Sequence, residues 1–173
     1  MHLKLFLFLI IGCSISVAGY AQSSSKYLKA INQDNGTLYF IKPVKFKAGK
    51  DRFIPDFTFL HKENLPEEVD LRFSLFSKTP LRDISALSFY SGEKELGKTS
   101  GRELMYLEKV KGKWHARFST GIPFSTLLEI LAAGENLEIR FHSGETTLTF
   151  PANREWAKAS GLIKEILMAE IGK

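Results

Sequence analysis

The sequence predicts a mainly β, α+β domain. The expected form is an antiparallel β-sandwich or partly closed barrel of about eight strands, with one short inserted helix and a C-terminal helix packed on the sheet. Three observations lead there. Apolar and polar residues alternate in several runs, most cleanly where Val69, Leu71, Phe73 and Leu75 interleave with Asp70, Arg72 and Ser74. A period of two is the mark of a half-buried antiparallel strand. Turn-forming dipeptides separate these runs at short intervals. Helical spacing is confined to two places, a short stretch after Pro123 and the C-terminal tail.

Taken in order, Tyr27 to Asn32 reads as a helical turn or an extended arm, and Asn35-Gly36 as a turn. The same residues, with Thr37, also spell a glycan acceptor for a eukaryotic secretory route. Thr37 to Phe46 is a strand candidate in which Pro43 removes a ladder donor, implying an edge or a bulge. Ala48 to Asp51 turns the chain. Phe53, Pro55, Phe57 and Phe59 then share one parity. Val69 to Leu75 follows, then a loop from Lys78 to Asp83, and a shorter strand from Ser85 to Ser91. Gly92 to Gly101 reads as a mobile loop or irregular edge. Glu103 to Val110 and Lys113 to Ser119 flank Lys111-Gly112 as a hairpin. In its second arm Trp114, Ala116 and Phe118 face inward, and His115 and Arg117 face outward. Thr126 and Glu129 have capping-box spacing, Leu127, Leu128, Ile130 and Leu131 form an apolar side, and Gly134 stops the helix. Leu137, Ile139 and Phe141 alternate with Glu138, Arg140 and His142, and a turn at Ser143-Gly144 leads into a last strand. Asn153 is placed to cap a terminal helix whose Trp156, Ile163, Ile166, Leu167 and Ile171 make one stripe.

The clearest functional signal lies at the N-terminus. Lys4 is followed by the unbroken apolar run Leu5 to Ile11, and Gly19-Tyr20-Ala21 offers small residues at a cleavage site. This pattern predicts a signal peptide over residues 1–21, a polar tether over 22–36, and a single β-rich domain over 37–173. The apolar run falls short of the ~20 residues a spanning helix needs, so no transmembrane span is expected in the mature chain. The expected location is periplasmic or extracellular. Ile10-Ile11-Gly12-Cys13 resembles a lipobox, which implies lipid anchoring through Cys13 as a minor alternative.

Removing 21 residues from the 173 leaves 152, a length suited to one domain with a substantial core. Cys13 is the only cysteine, so a chain cut after Ala21 is disulfide-free and has neither thiol catalysis nor cysteine metal sites. The 14 Phe supply the core instead. Without Lys4, 23 Lys and Arg stand against 19 Asp and Glu, a mild surplus spread along the chain. It suits anionic envelope surfaces or glycans. Nucleic acid is a poor partner for an exported chain with no dense basic helix and no aromatic RNA-binding motif.

Motifs that carry chemistry are missing from the sequence. There is no G-x-S-x-G elbow, no H-x-H or H-x-x-x-H spacing, no EF-hand loop and no phosphate-binding glycine pattern. The adjacent Glu67 and Glu68 point to opposite faces of an extended chain, so they offer no paired-carboxylate chemistry. One surface constellation stands out as a candidate ligand-binding set. His115 and Arg117, with Arg140 and His142, make a basic, pH-sensitive patch if their two strands are neighbours; a solvated outer face is the competing reading. No cofactor or metal is expected. Gly112-Lys113-Trp114 is similar to the G-x-W of the lipocalins, and the strand-rich layout with a late helix is of that kind. In that family the motif lies on the first strand, and here it lies late, so no residue is carried over.

Three functional readings follow. The first is an exported, non-catalytic domain that binds an envelope, glycan or protein component. The second is a carrier of an apolar ligand among the Phe side chains, and the third is a hydrolase without a recognisable motif. The leader itself is testable. The intact mass of the exported form should correspond to a chain starting at Gln22; a diacylglyceryl mass on Cys13 would contradict that processing.

Overall fold

The structure, a computed structural model, describes residues 26–171. The signal-peptide, tether and lipobox readings at residues 1–25 lie outside the described residues. Among these residues eleven strands and two α-helices follow in order: β1 (Leu28–Gln33), β2 (Gly36–Ile41), β3 (Phe46–Ala48), β4 (Asp51–His61), β5 (Glu68–Ser77), β6 (Ala86–Ser91), β7 (Lys94–Lys98), β8 (Ser100–Val110), β9 (Lys113–Pro123), α1 (Phe124–Ala133), which runs on into a short 3-10 turn (Gly134–Asn136), β10 (Leu137–Ser143), β11 (Thr146–Pro151) and α2 (Arg154–Ile171). They form two antiparallel sheets. The larger runs β1-β2-β4-β5-β9-β8, with β3 also on β4; the smaller runs β11-β10-β6-β7.

The alternation read from the sequence sets which face of each strand is buried. Phe53, Phe57 and Phe59 on β4, Val69, Leu71, Phe73 and Leu75 on β5, and Ala116, Phe118 and Ile122 on β9 all face the interior. From the smaller sheet come Leu87, Phe89, Ile139, Phe141 and Phe150. Rings meet across the two layers: Phe53 and Phe141 have centroids 4.9 Å apart, Phe73 and Phe141 5.5 Å, and Phe53 and Phe150 5.9 Å. The smaller sheet does not cover the whole of the larger one. The helices fill the remainder, with Phe124 of α1 on Phe59 at 5.1 Å and Trp156 of α2 on Phe46 at 5.4 Å. Near the end of α2, the buried Tyr39 donates to Glu170 at 2.7 Å. Burial and that carboxylate acceptor hold the phenol well above its ordinary pKa. At one corner of the sandwich the chain crosses between the sheets. It passes from β7 in the smaller sheet to β8 in the larger through Thr99, whose N–H donates to the Leu87 carbonyl at 2.9 Å.

Two prolines mark where one flank of the larger sheet is divided. The strand expected from Thr37 to Phe46 is two strands, because β2 ends at Ile41 and β3 starts at Phe46, leaving Pro43 between them. On β4, Asp51 to Phe53 pair with β3 and Phe57 to His61 pair with β2. Pro55 lies between those two pairings, where that side of β4 has no partner strand among the described residues, a position that tolerates a residue without an N–H.

Several local expectations change. Leu28 to Gln33 pairs with β2 residue for residue; of the two readings for Tyr27 to Asn32 the extended one matches, and this stretch belongs to the sheet and not to the tether drawn over 22–36, because Leu28 and Ala30 are buried in the core. Lys94 to Lys98 forms β7, an edge strand whose pairing with β6 shifts register between Phe89 and Tyr90, the irregular-edge form of the two readings for Gly92 to Gly101. The helix α1 begins two residues before Thr126, behind Pro123, with no side-chain cap. The Phe124 N–H instead donates to the Glu67 carbonyl at 3.0 Å. Thr126 is buried against β7, where a Cβ on Gly97 would stand 2.6 Å from its methyl group. Glu129 pairs with Lys94 at 2.9 Å. The capping-box spacing was therefore fortuitous: Thr126 serves packing, and a glycine opposite makes room for it. The C-terminal stop is as expected, with Gly134 at φ 53°.

The terminal helix also follows the sequence. The Asn153 side chain accepts from the N–H groups of Glu155 at 2.9 Å and Trp156 at 3.0 Å, and its amide donates to the Lys45 carbonyl at 2.7 Å. Trp156, Ile163 and Leu167 are fully buried. The Trp156 indole N–H has no hydrogen-bond partner among the described residues, so packing holds the ring. Trp156→Ala should lower stability by about 3–5 kcal/mol, and Asn153→Ala by about 0.5–2 kcal/mol. Denaturant melts test both; an unchanged midpoint for Trp156→Ala would mean that α2 is not docked.

Candidate binding surface

The outer face of the larger sheet is built by the parity opposite to the core. Registered pairing sets Arg52, Phe76, His115 and Glu108 in one row across β4, β5, β9 and β8. The His115 ring stacks on Phe76 at 4.2 Å and 14°, and the Arg52 guanidinium sits 4.8 Å from the Phe76 centroid. Tyr106 meets the imidazole edge to face at 5.0 Å, with its hydroxyl 3.3 Å from Nε2. Nδ1 lies 3.4 Å from Glu108 Oε1. The side chain of His115 is consequently only 14% exposed, although it faces outward. The expectation that water would bathe it fails because two aromatic neighbours cover it.

Beside this row, Arg117 donates to Ser74 Oγ at 2.9 Å and is ion-paired with Asp56. Both partners are about a quarter exposed, so this pair is better shielded from water than Arg72–Asp70, at 53% and 41%. An exposed pair of the second kind contributes under about 1 kcal/mol. The Arg117 pair accordingly orders the middle of the face, while Arg72 and Asp70 remain accessible to a partner.

The four residues expected to form one patch do not come together. His115 and Arg117 are on β9 of the larger sheet, whereas Arg140 and His142 are on β10, between β11 and β6 of the smaller. The neighbour condition fails because the chain changes layer through α1. Arg140 is occupied locally: its Nε and Nη2 donate to Glu138 at 3.2 and 2.8 Å, and its guanidinium lies 4.0 Å from the Tyr90 centroid. The Tyr90 hydroxyl donates to Glu95 at 2.8 Å, and that bond raises its pKa. His142 Nδ1 is 3.0 Å from Thr147 Oγ1.

The remaining histidine of the described chain, His61, ends β4 beside an open depression of about 840 Å³ lined by Asp34, Glu63, Leu65 and Glu67 among others. Among the described residues no three His, Cys, Asp or Glu side chains are grouped to hold a metal ion, and no helix is long and apolar enough to cross a membrane. The described chain contains no cysteine.

Sequence reasoning missed Phe76, Tyr106 and Asp56 as members of this surface. Phe76 carried a readable signal, an aromatic on the polar parity of β5 after Asp70, Arg72 and Ser74. Asp56 was visible as an outward residue, but its Arg117 partner depends on a register between distant strands. Comparison with known proteins finds no family model, no curated protein and no solved structure that matches the chain.

Proposed function

We propose that this chain is an exported, non-catalytic binding domain, and that the outer face of its larger sheet is the surface that engages an envelope or extracellular component. The observation that carries this reading is the row Arg52–Phe76–His115–Glu108, with Tyr106 packed against the imidazole. It holds aromatic, cationic and hydrogen-bonding groups in fixed mutual positions on a sheet face, with Arg72 and Asp70 exposed alongside. Such a platform recognises a partner with little loss of side-chain freedom, because its groups are ordered before binding. The export signal in the sequence supplies the location.

The packing between the sheets gives the apolar-carrier reading less support. Rings that touch at 4.9 to 5.9 Å across the layers occupy the space such a ligand would need. The hydrolase reading has one point in its favour, the contact of His115 with Glu108 and Tyr106. The imidazole there is stacked under an open face, and a general base must reach a substrate held in place.

The mature chain should cosediment with envelope material of its host, and a Tyr106→Ala, Arg72→Ala double variant should bind at least tenfold more weakly while melting as the parent does. Failure of the parent to bind would count against the proposal. So would turnover of an ester, glycoside or peptide substrate that is abolished by His115→Gln.

A further inference from the structure

The edge of the larger sheet at β8 stands apart from the other three sheet edges. It is eleven residues long, against six for β1, five for β7 and six for β11. Among the described residues seven large apolar side chains are exposed, and four of them, Leu104, Met105, Tyr106 and Val110, are on β8. That concentration on a single edge strand singles it out, since exposed apolar edges are templates for pairing with another chain.

The side chains of β8 also specify a partner. Glu103 is opposite Ser119, Tyr106 opposite Arg117, and Glu108 opposite His115. The three therefore share the outer face of the sheet, with the tyrosine between two carboxylates. An irregularity between Leu104 and Tyr106 sets this spacing; it absorbs one residue, so that the three occupy alternate positions as a regular strand beside them would count. A second copy of this chain fits poorly. Antiparallel self-pairing centred on Tyr106 keeps outer face with outer face, and it sets Glu103 against Glu108 at both ends. Like charges directly opposite destabilise a strand pair.

We infer that β8 accepts, by strand addition, an extended segment of a partner protein that carries basic side chains at positions i and i+4 and an apolar side chain at i+2. The main-chain ladder supplies attachment and the outward side chains supply selectivity. The basic pair faces Glu103 and Glu108, and the apolar residue lies beside Tyr106. This inference rests on the binding-domain reading and names the partner's chemistry.

The test uses the mature chain, labelled for amide NMR, and a blocked nine-residue peptide with lysine at its third and seventh positions, valine at the fifth and threonine elsewhere. The matching glutamate peptide is the control. The lysine peptide should give saturable shifts concentrated in the amides of β8, weakening as salt rises. The double variant Glu103→Lys, Glu108→Lys should bind it at least tenfold more weakly and should bind the glutamate peptide instead. Glu103→Lys alone leaves the Glu108–His115 contact in place and should show the same trend. Equal response to both peptides, shifts centred away from β8, or none at all would overturn the inference. A concentration-dependent dimer dispersed by Met105→Lys would overturn it in favour of self-association. Envelope binding that persists after such a failure removes only the strand-addition inference, whereas loss of both removes the binding reading as well.

Discussion

The structure depends on the ring of Phe53. It lies on the central strand β4 and touches Phe46 and Phe73 within the larger sheet and Phe141 and Phe150 in the smaller, at centroid distances of 4.9 to 6.0 Å. Phe46 passes the contact on to Trp156 of the terminal helix. One side chain thus joins the two sheets directly and α2 at one remove. Each well-placed aromatic pair adds roughly 0.5–1.5 kcal/mol beyond the area it buries. In a described chain without cysteine, packing of this kind takes the place that disulfides hold in many exported domains.

That constraint shapes the outside as well. Because one parity of β4, β5 and β9 is committed to the aromatic core, the other parity is delivered in register as a continuous outer face. The row from Arg52 to Glu108 exists because four strands are held flush by the rings beneath. Its polar groups are largely paired among themselves, as Arg117 is with Asp56 and Ser74. Among the described residues the sheet ends at β8, whose tyrosine and two carboxylates border the edge of the ladder.

Much of the fold was legible where one strand decides its own two faces. The parity of Phe53 to Phe59, of Val69 to Leu75 and of Leu137 to Phe141 needed only local alternation, and the Asn153 cap needed only local hydrogen-bonding logic. What was not legible depended on distant pairing. The stretches that form β1 and β7 are short and weakly patterned, so the sequence left two readings open for each, and they become strands because β2 and β6 offer them ladders. Thr126 resembled a cap until Gly97, remote in sequence, gave it a packing role. The proposed basic patch required β9 and β10 to be neighbours, and strand order between layers leaves no trace in a periodic pattern. The apolar run Leu104 to Leu107 hid an irregular register that only the partner strand reveals.

The central claim is that this domain acts through its surface around an interior filled by its own rings. Native mass spectrometry of the protein, purified without detergent, tests it most directly. The account predicts a folded species at the bare polypeptide mass. An apolar molecule retained at one per chain, and released only on unfolding, would contradict it.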